Sequence, residues 1–210
     1  MDRYKVTFET WNKIATLYQD KFMNLDLYNE TYDFICNSIL KKNAKLLEIG
    51  CGPGNITKYL LTKRPDFQIH GIDIAPNMIA LAKKNNPLAS FSVMDIRDID
   101  KLKTVYDGII GGFCLPYLSA SDSLKLIADS YNLLTNKGLL YISFVEGDPN
   151  MSGFEVGSSG YRSYFNYHTL DNLNHLLVNN GFEQTELFKI NYPKAGNENV
   201  LHTILVTIKK

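Results

Sequence analysis

The chain has 210 residues, of which 45% are hydrophobic and 21% charged, a composition that can fill the core of one α/β domain. Lysine plus arginine equals aspartate plus glutamate at 22 each, whereas proteins that bind nucleic-acid phosphates usually carry a basic surplus, so no nucleic-acid partner is expected. The longest apolar stretch, residues 138–145, is too short to span a bilayer, and no membrane association is expected.

Two helical patterns come before the first predicted strand. Apolar side chains recur at helical spacing in residues 8–20, and a second pattern of this kind covers residues 28–39. Because both patterns precede the sheet, we expect residues 1–43 to form a helical cap against its carboxyl edge.

Five short apolar runs then alternate with helical patterns. The runs cover residues 45–49, 68–73, 90–94, 106–111 and 139–145. Runs that are apolar throughout are typical of parallel strands covered on both faces, and helices between them imply right-handed crossovers in a doubly wound sheet. Ser121 is the predicted N-cap of the helix before the fifth run.

The last third of the chain is predicted to contain an insert, a helix and two strands. The insert, residues 146–167, is rich in glycine and aromatic residues and is either a lid or a strand that covers the sheet. The helix begins after the N-cap Thr169 and ends at Gly181. Strands at 182–190 and 200–208 should pair antiparallel, because the linker between them is too short for a helical crossover.

A glycine-rich turn follows the first predicted strand, and its neighbours indicate which ligand it suits. The glycines at 50, 52 and 54 allow close approach of a ligand to the backbone. A dinucleotide fingerprint would need a third glycine at Asn55, so the spacing differs from that pattern. Glu48 lies just before the turn, where a negative charge opposes a phosphate and suits a cation.

Two further acidic residues end the second and third predicted strands. Asp73 can accept hydrogen bonds from both hydroxyls of a ribose. Asp95 is placed to accept from the amine of an adenine, with Ile74, Met78 and Ile96 as apolar contacts of the ring. Each aspartate alone could equally be a strand-end or capping residue.

At this point the chain resembles the class I methyltransferases, which use S-adenosylmethionine. The matching segments keep their order and spacing: 46–54, 71–78, 94–96, 106–110 and 181–182. The resemblance implies one domain with a mostly parallel seven-stranded sheet in the order 3-2-1-4-5-7-6, in which strand 7 is antiparallel. Within residues 1–210, the cap would cover 1–43, the cofactor-binding half 44–145, and the substrate lid, last helix and strand hairpin 146–210.

The resemblance also implies a site for S-adenosylmethionine and its product S-adenosylhomocysteine. The backbone around Gly50 and Gly52 would bind the methionine part, and Tyr18 of the cap would approach the cofactor. Cys51 and Phe113 complete the predicted set, which includes no metal ligand. Tyr18 could instead be a packed helical residue.

Methyl transfer from a sulfonium needs the acceptor to be aligned, and no obligatory catalytic residue is expected. Tyr117 and His168 are candidates to orient an acceptor or move a proton. Tyr117 could instead be a packed loop residue, and His168 a capping or solvent-facing one; His202 is interpreted as structural. The segment 115–117 lacks the polar residue and first proline found in many enzymes that methylate nucleobases or glutamine.

The sequence therefore predicts a methyltransferase for an O, N or C nucleophile of a small molecule. The alternatives are a non-catalytic or protein-directed S-adenosylmethionine-binding protein and, more remotely, an NAD-dependent oxidoreductase. The three cysteines at 36, 51 and 114 are predicted to be reduced thiols. We therefore expect a cytoplasmic protein, either a monomer or a homodimer.

Overall fold

A computed structural model describes residues 2–157, 159–193 and 199–210, so Ser158 and most of the predicted linker 191–199 lie outside the described residues. The chain begins with three helices, α1 (Arg3–Lys13), α2 (Ala15–Phe22) and α3 (Asn29–Ser38). The prediction of one helix over 8–20 is wrong in its bounds. Asp2 caps α1 by accepting from two backbone N–H groups, and the helix is broken at Ile14, whose φ of −96° and ψ of 14° are not helical.

The described residues form nine strands, which in chain order are β1 (Lys45–Ile49), β2 (Gln68–Asp73), β3 (Ser90–Val93), β4 (Tyr106–Gly111), β5 (Leu134–Val145), β6 (Gly153–Val156), β7 (Arg162–Phe165), β8 (Phe182–Pro193) and β9 (Asn199–Lys209). Seven of them form the main sheet, in the order β3-β2-β1-β4-β5-β9-β8, and β6 pairs with β7 in a separate sheet. Strands β1 to β5 pair in parallel, and β9 is antiparallel to both β5 and β8. The predicted order, with its antiparallel last strand, is confirmed.

Four more helices cover the two faces of this sheet. They are α4 (Asn55–Lys63), α5 (Pro76–Asn85), α6 (Ala120–Leu133) and α7 (Leu170–Asn179). Side chains alternate between the faces of a strand, so neighbouring leucines of β1 enter different cores. Leu47 packs in the same cluster as Leu126 of α6, and Leu46 in the cluster that contains Ile35 of α3 and Leu60 of α4.

The predicted N-cap of α6 and the predicted start of β5 also differ from the structure. Ser119, rather than Ser121, is the N-cap of α6, because its Oγ accepts the N–H of Asp122 at 3.1 Å. Strand β5 begins at Leu134 and not at 139, and it includes Lys137 in a left-handed conformation with φ 63°. The sequence pattern could not show this extension, since the polar residues before 139 interrupt the apolar run.

The insert after β5 forms a hairpin of β6 and β7 that contacts the cap. The N–H of Tyr164 donates to Thr7 Oγ1 at 2.9 Å, and Thr10 Oγ1 donates to the carbonyl of Arg162 at 2.7 Å. The guanidinium of Arg3 lies 4.9 Å from the ring centre of Tyr164. Through these contacts the hairpin packs directly against α1.

Among the described residues, no helix is both long and apolar enough to cross a membrane.

The side chain of Arg64 joins the end of the cap to the sheet. Its guanidinium donates to the carbonyl oxygens of Cys36, Ile39 and Lys41 at 3.1, 2.7 and 3.1 Å. It also forms two hydrogen bonds with Asp66, which hold the pKa of that carboxyl well below its usual range. The carbonyl groups at the end of α3 would otherwise lack these donors.

We expect Arg64→Ala to lower the free energy of unfolding by about 2 kcal/mol, because several hydrogen bonds to a charged group are lost at once. Arg64→Lys should recover only part of this loss, since an ammonium cannot reproduce the planar fork of donors. Urea denaturation measures both variants. Lys63→Ala, which removes a neighbouring surface ion pair with Asp33, is the control and should change stability little; equal stability of all the proteins would contradict the role of Arg64.

Candidate functional site

The turn after β1 brings backbone groups to the carboxyl edge of the sheet. Gly50, Gly52 and Gly54 have φ values of 65°, 51° and 81°, in the left-handed region that favours glycine. A Cβ at Gly54 would lie 2.4 Å from the Asn86 side chain, so this position leaves no room for a larger residue. The sequence therefore has glycine where the backbone and its neighbour require it.

Asp73, at the end of β2, is hydrogen bonded to this turn. Its carboxylate accepts the N–H of Gly52 at 2.9 Å and the N–H of Ala75 at 2.8 Å. Burial raises the pKa of Asp73, and these two N–H donors oppose that shift. An ionised carboxylate offers about four acceptor positions, so each oxygen can still accept a hydroxyl from a ligand.

Glu48 has a different environment from the one that the sequence suggested. Its side chain is 1% exposed, and its carboxyl accepts a hydrogen bond from the hydroxyl of Thr57. Burial raises the pKa of Glu48 to about 8. The interpretation of Glu48 as a standing negative charge is thus corrected: at neutral pH the carboxyl is mostly protonated, and a cation beside it would favour its ionised form.

Asp95 begins the 3-10 turn after β3 and forms an ion pair that sequence reasoning missed. Both of its oxygens accept from the guanidinium of Arg97, and it also accepts the N–H of Arg97 at 2.9 Å. Burial would raise the pKa of Asp95, but these donors lower it overall. The guanidinium lies 4.0 Å from the ring centre of Tyr4, whose hydroxyl donates to Asp122. An adenine amine would therefore share Asp95 with Arg97.

A two-lobed cleft lies over this edge of the sheet. The first lobe, of about 880 Å³ including its open mouth, extends from the turn to Asp73, Asp95 and Arg97. The second lobe, of about 1050 Å³ on the same measure, extends from the turn to Glu48, Tyr28 and His202. The residues that line both lobes are Trp11, Tyr18, Gly50, Gly52, Gly112, Phe113 and Tyr117.

The structure brings the predicted cofactor residues together in this cleft. The residues that line it include Tyr18, Glu48, Gly50, Cys51, Gly52, Asp73, Ile74, Met78, Asp95, Ile96 and Phe113. Their binding roles stay predictions.

The two candidate catalytic residues are placed differently. Tyr117 lies at the boundary of the lobes, with its ring centre 5.3 Å from that of Trp11. His168 lines neither lobe. It is buried, its Nε2 is 3.0 Å from the carbonyl oxygen of Leu115, and burial lowers its pKa. His168 is thus neither in the cleft nor solvent-facing, and it links the end of the insert to the loop after β4.

Trp11, one of the apolar residues at helical spacing in 8–20, lies between the two lobes and lines both. Its ring packs edge-on against Tyr18 at 5.6 Å. Its Nε1 is buried without a hydrogen-bond partner among the described residues. A buried donor without a partner is costly, so this N–H is available to a ligand of the cleft. Helical spacing could not distinguish such a residue from a core residue.

The unusual pKa of Glu48 gives the folded protein a measurable pH dependence. A carboxyl whose pKa is higher in the folded than in the unfolded state stabilises the fold at low pH, and this contribution is lost as pH rises through the folded pKa. For Glu48 the loss should occur between the ordinary glutamate pKa of 4.5 and about 8. We therefore expect the stability of Glu48→Gln, relative to the parent protein, to increase across this pH range.

Urea unfolding of both proteins without ligand, at a series of pH values, measures this difference. Thr57→Val is the companion variant, because loss of the hydroxyl bonded to Glu48 should extend the window to higher pH. Parallel pH profiles of the parent and Glu48→Gln would contradict the assignment.

Comparisons with known proteins agree with this architecture. A family model described as a methyltransferase domain matches residues 46–138. A protein of Invertebrate iridescent virus 6 named putative methyltransferase 235L is 32% identical over 112 residues, which cover 53% of this chain and 40% of the relative. The carboxy-S-adenosyl-L-methionine synthase of Campylobacter hominis is 26% identical over 146 residues, 66% of this chain and 62% of the relative. The chain thus spans less than two thirds of the length of either relative.

A solved structure shows how far the fold is shared. The magnesium protoporphyrin IX methyltransferase of Synechocystis, crystallised with S-adenosylmethionine, has a TM-score of 0.73 and 14% identity, with 100% of this chain and 98% of that chain covered. At this identity the likeness concerns the fold. The residues that match the family model include the glycine turn, Asp73 and Asp95. Residues 46–138 thus match a methyltransferase domain, and the sheet has the strand order of a Rossmann-like methyltransferase fold.

Proposed function

We propose that this protein transfers a methyl group from S-adenosylmethionine to an O, N or C nucleophile of a small molecule, mainly by proximity and orientation. The observation that carries the proposal is the two-lobed cleft, in which one lobe has the acidic strand ends and the other an aromatic wall. Both lobes meet at Gly50, Gly52 and Phe113. The adenosine part of a donor in the first lobe and an acceptor in the second lobe would meet there, with the amino-acid end of the donor at the glycine turn.

The residues of the first lobe suit a nucleoside. Asp73 would accept the ribose hydroxyls, while Ile74 and Ile96 would flank the adenine and Asp95 would accept its amine. Ile74 is 37% exposed and lines the first lobe, so its side chain is accessible to a ligand there. We assign the amino-acid end of the cofactor to the glycine turn and Glu48.

The buried carboxyl of Glu48 is a second point of agreement with this cofactor. A protonated buried acid becomes a charged partner when an ammonium group approaches it. A phosphate at the same place would meet no such stabilisation and would have to bind beside an acid. The cofactor, when bound, supplies a methyl group already activated by the sulfonium.

The chain's own contribution is to align the acceptor and exclude water. The cap helices and the hairpin of β6 and β7 cover the cleft, and Trp11, Tyr18 and Tyr117 form the wall between the lobes. Alignment of two bound reactants is itself a large part of the rate enhancement of such reactions. Cys36, Cys51 and Cys114 are buried free thiols, in keeping with the cytoplasmic location that we propose.

Calorimetry on the purified chain tests the donor. We expect S-adenosylmethionine and S-adenosylhomocysteine to bind and NAD not to bind. No heat with either adenosyl ligand would overturn the proposal, and binding of NAD alone would favour the oxidoreductase alternative. Binding without methyl transfer to any small molecule would favour the non-catalytic or protein-directed alternative.

Asp73→Ala should weaken the binding of S-adenosylhomocysteine by about 1.5–3 kcal/mol, because a charge-assisted contact is lost. Asp73→Asn, which keeps one acceptor oxygen, should lose less. Asp98→Ala removes an exposed aspartate paired with Lys101 and is the matched control. Calorimetry measures affinity, and urea denaturation shows that each variant is folded; unchanged affinity of folded Asp73→Ala would show that Asp73 does not bind the ribose.

A further inference from the structure

The far wall of the second lobe is a cluster of aromatic rings that the sequence did not reveal. His202 of β9 lies face to face with Tyr192 of β8, with ring centres 4.8 Å apart and planes at 11°. Phe113 contacts the same imidazole at 4.6 Å and the ring of Tyr28 at 5.3 Å. Because Phe113 also lines the first lobe, the cluster begins where the two lobes meet.

Within this cluster, Tyr28 and His202 form a hydrogen-bonded pair. The hydroxyl of Tyr28 is 2.7 Å from His202 Nδ1. The two ring planes differ by only 9° at a centre-to-centre distance of 6.0 Å, which together with the hydrogen bond means that the rings meet edge to edge. Nε2 of His202 has no hydrogen-bond partner among the described residues. Burial lowers the pKa of His202 to about 4, so the imidazole is neutral and can accept one proton.

The charges of the second lobe exclude a cationic acceptor. The one acid among the described residues that line it is Glu48, which is either protonated or, in the proposed complex, paired with the ammonium group of the cofactor. The one lysine or arginine among them is Lys21. A cationic acceptor would find no free anionic partner here and would be repelled by Lys21. A neutral or anionic planar ring, in contrast, matches the aromatic wall.

On the basis of the proposed function, we infer that the second lobe binds a planar aromatic acceptor that is methylated on a hydroxyl group, and that Tyr28 and His202 take up its proton. The hydroxyl oxygen forms the bond to the methyl carbon, while the carbon–sulfur pair remains on sulfur. The acceptor's proton passes to the Tyr28 oxygen as the Tyr28 proton passes to His202 Nδ1. The positive charge of the sulfonium is thus replaced by that of an imidazolium, which then loses its proton to solvent.

A weak base is sufficient for this role. The oxygen becomes strongly acidic only as it is alkylated, so the proton needs an acceptor at that moment and not before. A carboxylate acceptor has no proton to lose and would make no use of the pair. A saturated acceptor would gain no ring-to-ring contact with the aromatic wall of the second lobe.

Binding to the protein saturated with S-adenosylhomocysteine tests the acceptor class. The probes are 2-naphthol and its saturated counterpart, decahydro-2-naphthol, followed by calorimetry. We expect 2-naphthol to bind about tenfold more tightly, and Tyr192→Ala to remove this preference without a change in affinity for S-adenosylhomocysteine. Equal affinity for the two probes, or an unchanged preference in Tyr192→Ala, would overturn the inference.

The role of the pair is tested with Tyr28→Phe and His202→Phe, which keep an aromatic ring. Methylation of 2-naphthol should fall about 10²-fold or more in each variant, while affinity for 2-naphthol changes less than about threefold. With 4-nitrophenol, a more acidic phenol that is already about half ionised at neutral pH, the loss should be much smaller. A merely structural role would lower both rates equally, and that result would overturn the assignment.

Tyr59→Phe is the matched control, because it removes a hydroxyl bonded to Asp33 at 2.9 Å outside the cleft, and it should leave both rates unchanged. The two proposals fail in different ways. If the parent protein does not bind S-adenosylhomocysteine, the proposed function is overturned, and this inference with it. If that ligand binds but 2-naphthol shows no preference, this inference alone is overturned.

Discussion

The N–H of Gly52 donates to the carboxylate of Asp73, and this hydrogen bond joins the turn after β1 to the end of β2. The neighbouring N–H of Cys51 donates to the carbonyl of Ile72 at 2.9 Å, so the turn continues the ladder of β1 and β2 beyond the sheet. Both contacts require a backbone that is left-handed at Gly50 and Gly52. The shape of both lobes depends on this turn, because it forms the floor at which they meet.

Two acids flank this turn in environments that give them different properties. Asp73 has two backbone N–H donors that oppose the effect of burial on its pKa. Glu48 is more deeply enclosed, with the Thr57 hydroxyl as its hydrogen-bond donor, and its pKa rises to about 8. The carboxylate of Asp73 can thus accept hydrogen bonds from hydroxyl groups, whereas the carboxyl of Glu48 is neutral in the absence of a nearby cation. Because the site has a low dielectric constant, the difference in hydrogen bonding between Asp73 and Glu48 has a large effect on the energy needed to ionise each carboxyl.

The sequence predicted the parts of the fold that depend on local patterns. The apolar runs gave the bounds of β1, β2 and β4, and the strand order was right because connection lengths and the family resemblance restrict it. Contacts between distant segments were missed. Thr10 and Arg162 are 152 residues apart, and Tyr28 and His202 are 174 residues apart, so no spacing rule could join them. Arg97 is the exception, since an arginine two residues after a strand-end aspartate could have suggested their ion pair.

The most direct test of this account is a crystal structure of the protein with S-adenosylhomocysteine. We expect the ribose hydroxyls within hydrogen-bond distance of Asp73 and the adenine beside Ile74 and Ile96. The sulfur should lie at Gly50 and Phe113 and face the second lobe, whose far wall contains Tyr28 and His202. A ligand bound outside the cleft, or one whose ribose does not contact Asp73, would contradict the account.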